Sequence, residues 1–141
     1  MAFVPTTRSE VEAWLLRFHA SNDSLDVNKL PNIYAKNAEV QFGNMPILVG
    51  HDALRNFFSA IWPKLETMHH AIESYDMIED RIYSPCRITW AIKDDPEKEI
   101  VSVPAFAAIH LVTSGEEKGL IRRAAFYMDG APLAAALQRS S

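Results

Sequence analysis

At 141 residues, 48% apolar and 23% charged, the chain has the length of one domain with a continuous core and the composition of a globular protein. A net charge of −4, with acids and bases interspersed, argues against a nucleic-acid partner, because phosphate binding needs a basic face and Arg122 with Arg123 is too small a patch. The single cysteine, Cys86, excludes an intrachain disulfide framework and a cysteine zinc site. No uncharged run approaches the roughly 18 residues of a membrane span. The start, Met1 to Pro5, lacks a basic and then apolar leader pattern, so a cytoplasmic protein without a membrane partner is expected.

The first helix opens at a capping box, with Thr7 as N-cap and Glu10 three positions later. Val11, Trp14, Leu15 and Phe18 share one helical face, and the polar cluster Ser21, Asn22, Asp23 and Ser24 ends the helix. A short second helix is predicted over 27–34, carrying Leu30, Ile33 and Tyr34, with Pro31 in its first turn. Residues 38–42 alternate with period two as a strand, and Gly43 with Asn44 turns the chain into a short strand over 45–49. Gly50, His51 and Asp52 open a third helix, with Leu54, Phe57, Phe58, Ile61 and Trp62 as its apolar face and Pro63 as its end. Four long strands follow at 68–78, 82–92, 100–112 and 120–128, joined by polar or Gly- and Pro-containing turns. Such short connections predict antiparallel pairing. Asp129 and Gly130 start a final short helix bearing Leu133, Ala136 and Leu137. Helices first and a meander after define an α+β class, one domain over 1–141, whose curved, mostly antiparallel sheet wraps over three N-terminal helices.

Four stretches carry a family resemblance. They are the run from Leu30 to Val40, Val49 to Leu54 followed by Phe57 and Phe58, His69 with His70, and Gly119 to Ile121 leading through Tyr127 and Asp129 to Pro132 and Leu133. Their order and spacing resemble the SnoaL-like branch of the NTF2-like superfamily over nearly the whole chain. The ending is most similar to small fungal members associated with secondary metabolism. The resemblance implies a cone-shaped fold around one pocket for a small apolar or aromatic molecule. It also implies a homodimer across the outer sheet face, where Tyr75, Met77 and Ala91 are apolar candidates. The superfamily holds scytalone dehydratase, ketosteroid isomerase, polyketide cyclases, limonene epoxide hydrolase, meroterpenoid isomerases and non-catalytic transport factors, so fold alone does not fix function. Two departures narrow the choice. Where the ketosteroid-isomerase branch places a catalytic Asp, this chain has Phe42, and where limonene epoxide hydrolases carry Arg-x-Asp it has Arg87, Ile88 and Thr89.

His70 is the leading catalytic candidate. It shares strand parity with Met68, Ile72, Ser74 and Ile78, and it resembles the histidine that SnoaL-like and scytalone-dehydratase-like proteins place at the cavity. A neutral imidazole in an apolar cavity can exchange a proton near pH 7; the alternative is a core histidine hydrogen-bonded in place. His69 points the other way. Asp129 reads either as a carboxylate orienting a pocket base or as the N-cap of the last helix. Tyr34, Trp14, Phe18, Phe58 and Trp62 sit where this fold lines its cavity, as binders of an aromatic substrate or as ordinary core, and the Tyr34 phenol needs a partner. Ser74 lies near enough to His70 to touch substrate, whereas Asp76 is about 20 Å along the strand. Arg123 would bind an anionic oxygen if buried; exposed, it is a sheet charge. His110 has no evident partner, and His19 reads as a helix-flank residue. No histidine pair has ligand spacing and no Gly-rich phosphate loop occurs, so neither metal nor cofactor is expected.

Two functions remain open. One is a cofactor-independent isomerase, cyclase or dehydratase (a lyase) acting on a polyketide- or terpenoid-like intermediate of secondary-metabolite biosynthesis. Its catalytic groups would be His70, Asp129 and Tyr34, with Trp14, Phe18, Phe58, Trp62, Ser74 and Tyr127 binding substrate. The other is a non-catalytic NTF2-like binding or dimerisation module.

Overall fold

The computed structural model describes residues 3–141; Met1 and Ala2, the head of the stretch without a leader pattern, lie outside them. Helix α1 (Arg8–Asp23) begins at the capping box. The Glu10 N–H donates to Thr7 Oγ1 at 3.2 Å, and the Thr7 N–H donates to Glu10 Oε1 at 3.1 Å, so two of the helix's open donors are satisfied reciprocally. Its buried stripe is Val11, Trp14, Leu15, Phe18, His19 and Asn22. The spacing is unbroken, yet its last turn is polar.

The predicted second helix over 27–34 is shorter and tighter. A 3-10 helix covers Val27–Asn32, because Pro31 inside it has no N–H to continue the ladder. Tyr34 instead opens strand β1 (Tyr34–Phe42), which begins four residues before the predicted start at Ala38. Strand β2 (Leu48–Val49) pairs antiparallel with β1. Helix α2 (Gly50–Ser59) follows, and a 3-10 turn at Trp62–Lys64 takes over where a continuous helix to Pro63 was expected. Gly50 adopts φ +87°, a conformation that favours glycine. The bend lets His51 Nε2 donate to the Tyr34 carbonyl at 2.8 Å, pinning α2 to the head of β1.

The remaining strands are β3 (Leu65–Ile72), β4 (Asp76–Ile78), β5 (Arg81–Ile92), β6 (Ile100–Leu111) and β7 (Ile121–Met128), and α3 (Ala131–Ser140) closes the chain. The single strand predicted over 68–78 is therefore two, both paired antiparallel with β5. Pro85 explains the break. Its carbonyl accepts from the Glu73 N–H at 3.1 Å, but it has no N–H to return, and the Ser84 hydroxyl donates to the Ser74 carbonyl at 2.7 Å instead. The sheet order is β2-β1-β7-β6-β5-β3. Every pairing is antiparallel except β1 with β7, which is parallel. The architecture is α+β, a curved, unclosed sheet with helices and a short C-terminal helix, as expected.

Strict alternation sorts the sheet faces. Ile82, Ser84, Cys86, Ile88, Trp90 and Ile92 of β5 are buried, and so are Val101, Val103, Ala107, Ile109 and Leu111 of β6. Trp14, Leu15, Leu30, Ile33, Ile109, Leu111 and Ile121 are almost fully buried. Trp14 donates its indole N–H to the Gly119 carbonyl at 2.9 Å, tying α1 to the β6–β7 turn. Helix α3 is held by Arg139, which grips Asp95 through two nitrogens at 3.1 and 2.9 Å and reaches Glu99 at 2.7 Å. Among the described residues no helix is long and apolar enough to cross a membrane.

Candidate active site

A cavity of about 520 Å³ opens between the inner sheet face and the helices. α1 contributes Phe18, His19 and Asn22; β1 contributes Tyr34 and Phe42; α2 contributes Phe57 and Phe58. Met68 and His70 of β3, Cys86, Ile88 and Trp90 of β5, Phe126 of β7 and Leu133 with Leu137 of α3 complete most of the wall. Stacked rings give it rigidity: Phe42 lies 4.6 Å from Phe57 and 5.4 Å from Phe126, and Phe58 lies 4.4 Å from Trp62. No lysine or arginine lines it among the described residues.

At one end of the wall the chemistry changes. His70 Nδ1 donates to Asp23 Oδ1 at 2.5 Å, and the His70 backbone N–H donates to Asp23 Oδ2 at 3.0 Å. One residue of β3 thus engages both oxygens of the last residue of α1. The two side chains are only 14% and 16% exposed, which strengthens a charge-assisted bond. A carboxylate can only accept, so Nδ1 carries a proton, and in the neutral imidazole Nε2 is the nitrogen that bears the lone pair. His69 lies 3.7 Å from the same carboxylate but is largely in solvent.

His19 stacks on His70 with ring centroids 4.8 Å apart. Burial first, and then the neighbouring His70, hold its pKa down to about 3, so it is a neutral imidazole near pH 7. Neither of its nitrogens has a hydrogen-bond partner among the described residues. Asn22, one turn on, donates Nδ2 to the Phe18 carbonyl at 3.3 Å while its Oδ1 is unpartnered. Burial pushes the Cys86 thiol up to about 11 and raises the Tyr34 phenol as well, so both line the wall as neutral groups.

The residues singled out in the sequence divide as follows. His70, Tyr34, Phe18, Phe58 and Trp62 line the cavity, and Tyr127 lies at its rim, half exposed. Trp14 does not reach it and belongs to the core. Ser74 falls in the break between β3 and β4, exposed and away from the wall, because the parity shared with His70 stops there. Asp129 is exposed, and its Oδ1 accepts from the Ala131 N–H at 3.0 Å. The N-cap of α3 is Gly130 rather than Asp129, which holds the N–H of the helix's first residue and does not line the cavity. Arg123 lies exposed on the outer face.

Asp23, His19 and Asn22 are the site residues that sequence reasoning missed. The signal was present. Continuing the apolar spacing from Val11 by the helical period reaches His19 and Asn22, so polar residues were due on a buried stripe. Asp23 was masked by its ordinary look as part of a helix-ending polar cluster.

No family model matches the sequence, and no curated protein matches it. Solved structures do match its fold. PrhC from Penicillium brasilianum superimposes with a TM-score of 0.76 at 10% identity, over 95% of this chain and 89% of that one. A candidate SnoaL-like polyketide cyclase from Jannaschia sp. CCS1 gives 0.72 at 14% identity, over 89% of each chain. TerC, co-crystallised with polyporic acid, gives 0.69 at 12% identity, over 89% of this chain and 96% of that one. At 10–14% identity these likenesses show the fold alone, a cone of the NTF2-like kind.

Proposed function

We propose that the protein is a cofactor-independent acid–base enzyme, an isomerase, cyclase or dehydratase, acting on a polyketide- or terpenoid-like molecule. One observation carries this reading: a His70–Asp23 pair at the end of an otherwise apolar, aromatic cavity. The volume, about 520 Å³, suits a small molecule, for which sites run about 300–1,000 Å³. His70 Nε2 takes a proton from carbon beside a carbonyl or from a hydroxyl, and the Asp23 carboxylate stabilises the imidazolium that forms. The proton returns to a different carbon in an isomerisation and to the new oxygen in a ring closure. In a dehydration it goes to a departing hydroxyl, which leaves as water. Tyr34, neutral and buried, donates a hydrogen bond to the carbonyl as charge develops. The enzyme works in secondary metabolism, in the cytoplasm and as a homodimer.

Deuterium exchange into a neutral bicyclic ketone such as 2-tetralone, followed by mass spectrometry, tests the reading. The wild type should exchange its α-protons above background, and His70→Ala should fall to background while staying folded. Equal rates in the two proteins would remove His70 as the base. A second reading, a non-catalytic binding module, is favoured by the way Asp23 also fastens α1 to β3 through the His70 backbone. It requires ligand uptake with no exchange.

A further inference from the structure

We propose that His19 is a positioning residue for His70: its ring is the platform that fixes the plane of that histidine and steadies the imidazolium formed there during proton transfer. The inference deepens the proposed function and rests on His70 being its base.

Helix α1 meets His70 with two side chains from one turn. Residues four apart on a helix stand one above the other, so His19 and Asp23 reach the same ring together. Asp23 takes the edge of the ring, where Nδ1 donates to Oδ1 at 2.5 Å. His19 takes its face, with ring centroids 4.8 Å apart and planes 13° from parallel. An edge bond fixes one atom and still lets the ring rock about it, whereas a stacked face fixes the plane. The platform is itself braced. Phe18 lies 5.0 Å from His19 and stacks on Trp14 at 5.4 Å and on Phe126 of β7 at 6.1 Å.

His19 acts through His70 and not on a ligand. It is 4% exposed, and both its nitrogens are sealed from solvent without a partner among the described residues. What the side chain offers is its face, and a leucine would fill the same space without one. Burial first, and then the neighbouring His70, hold the pKa of His19 down to about 3, so the ring stays neutral and does not repel a positive charge beside it. A neutral aromatic face attracts a cation held over it, most strongly where water is excluded. The stack therefore tightens as His70 takes its proton, and an interaction that strengthens on the way to the transition state lowers the barrier.

His19→Leu and His19→Phe test this, one removing the face and the other keeping it. Both should fold, because each removes unpartnered buried polar atoms. In 2-tetralone exchange His19→Leu should lower kcat about tenfold with KM unchanged, and His19→Phe should stay within about threefold of the wild type. Magnetic-resonance relaxation of the His70 ring gives a second readout that needs no turnover: its order parameter should fall in His19→Leu and hold in His19→Phe. Equal kcat in the wild type and His19→Leu would overturn the proposal. So would a loss carried wholly by KM, a phenylalanine variant no better than the leucine one, or an unchanged order parameter in His19→Leu. Unfolding of His19→Leu counts against it as well, because a side chain whose part is to hold His70 should not carry the fold. If the enzyme reading alone is wrong, 2-tetralone exchange is absent from the wild type while the order parameters still separate leucine from phenylalanine.

Discussion

Replacing Asp23 with Asn separates a proton-transfer pair from a structural tie. In the native protein one oxygen takes the His70 ring proton at 2.5 Å and the other takes the backbone N–H at 3.0 Å. Asparagine is close in size but has a single acceptor. If its oxygen keeps the backbone bond, its amide faces Nδ1 as a donor, and the ring proton must move to Nε2. The nitrogen left for the cavity then donates where it should accept. The equivalent change behind the histidine of a serine protease lowers kcat by about 10⁴, and a positioned general base is worth about 10²–10⁴. The exchange rate should therefore fall by about 10²–10⁴ with KM little altered. Losing hydrogen bonds to a charged group should cost about 1–3 kcal/mol of stability. Exchange of 2-tetralone gives kcat and KM, nitrogen-15 shifts of the His70 ring report which nitrogen holds the proton, and denaturant melts give stability. A folded Asp23→Asn protein that exchanges within about threefold of the wild type would refute the argument.

Acid stability should reveal His19, whose pKa lies near 3 in the folded protein and near the usual 6.5 when unfolded. The unfolded chain binds more protons across that window, so stability falls as pH drops from 6.5 towards 3; His19→Phe should unfold at lower pH, and an unchanged or higher midpoint would contradict the assignment. Arg139→Ala should lower Tm and speed amide exchange in α3, because its bonds are the main cause that holds the Asp95 carboxyl near 2. That stabilisation is present above 3.8 and is lost as pH falls towards 2, so wild type and variant should converge in strong acid. Asp129→Ala should cost about 1 kcal/mol through the lost hydrogen bond from the Ala131 N–H and leave 2-tetralone exchange within about twofold; a large fall in rate would return Asp129 to the chemistry. Concentration-dependent sizing should show a dimer, and a monomer at all concentrations would remove that part of the proposal.

Local rules made most of the fold legible. The capping box at Thr7 and Glu10, the stripe of α1 and the three strands from Arg81 to Met128 depend on spacing alone, and the structure follows them. Where partners across the sheet decide, sequence spacing failed. Period two runs smoothly from Met68 past Ser74, but the missing N–H of Pro85, on the neighbouring strand, breaks the ladder opposite residues 73–75. Tyr34 was assigned to a helix because Leu30 and Ile33 have helical spacing, although Pro31 ends the 3-10 turn and the parallel partner Ile121 claims Tyr34 for a strand. Parity did set His70 towards the cavity. Its partner Asp23 lies 47 residues earlier, and no local pattern joins the two.

The cost of the polar turn of α1 is itself an argument for function. A helix that only filled the core would carry apolar side chains at positions 19 and 22, as it does at Val11, Trp14, Leu15 and Phe18. Instead, three buried polar atoms lie there without a partner among the described residues. Each such atom costs about 1–3 kcal/mol, in a domain whose whole stability is of order 5–15 kcal/mol. Local rules broken at one place in an otherwise consistent sequence mark functional sites. Here the breach is confined to one helical turn, where His19 stacks on the histidine that Asp23 orients. Core packing alone gives no reason for that coincidence.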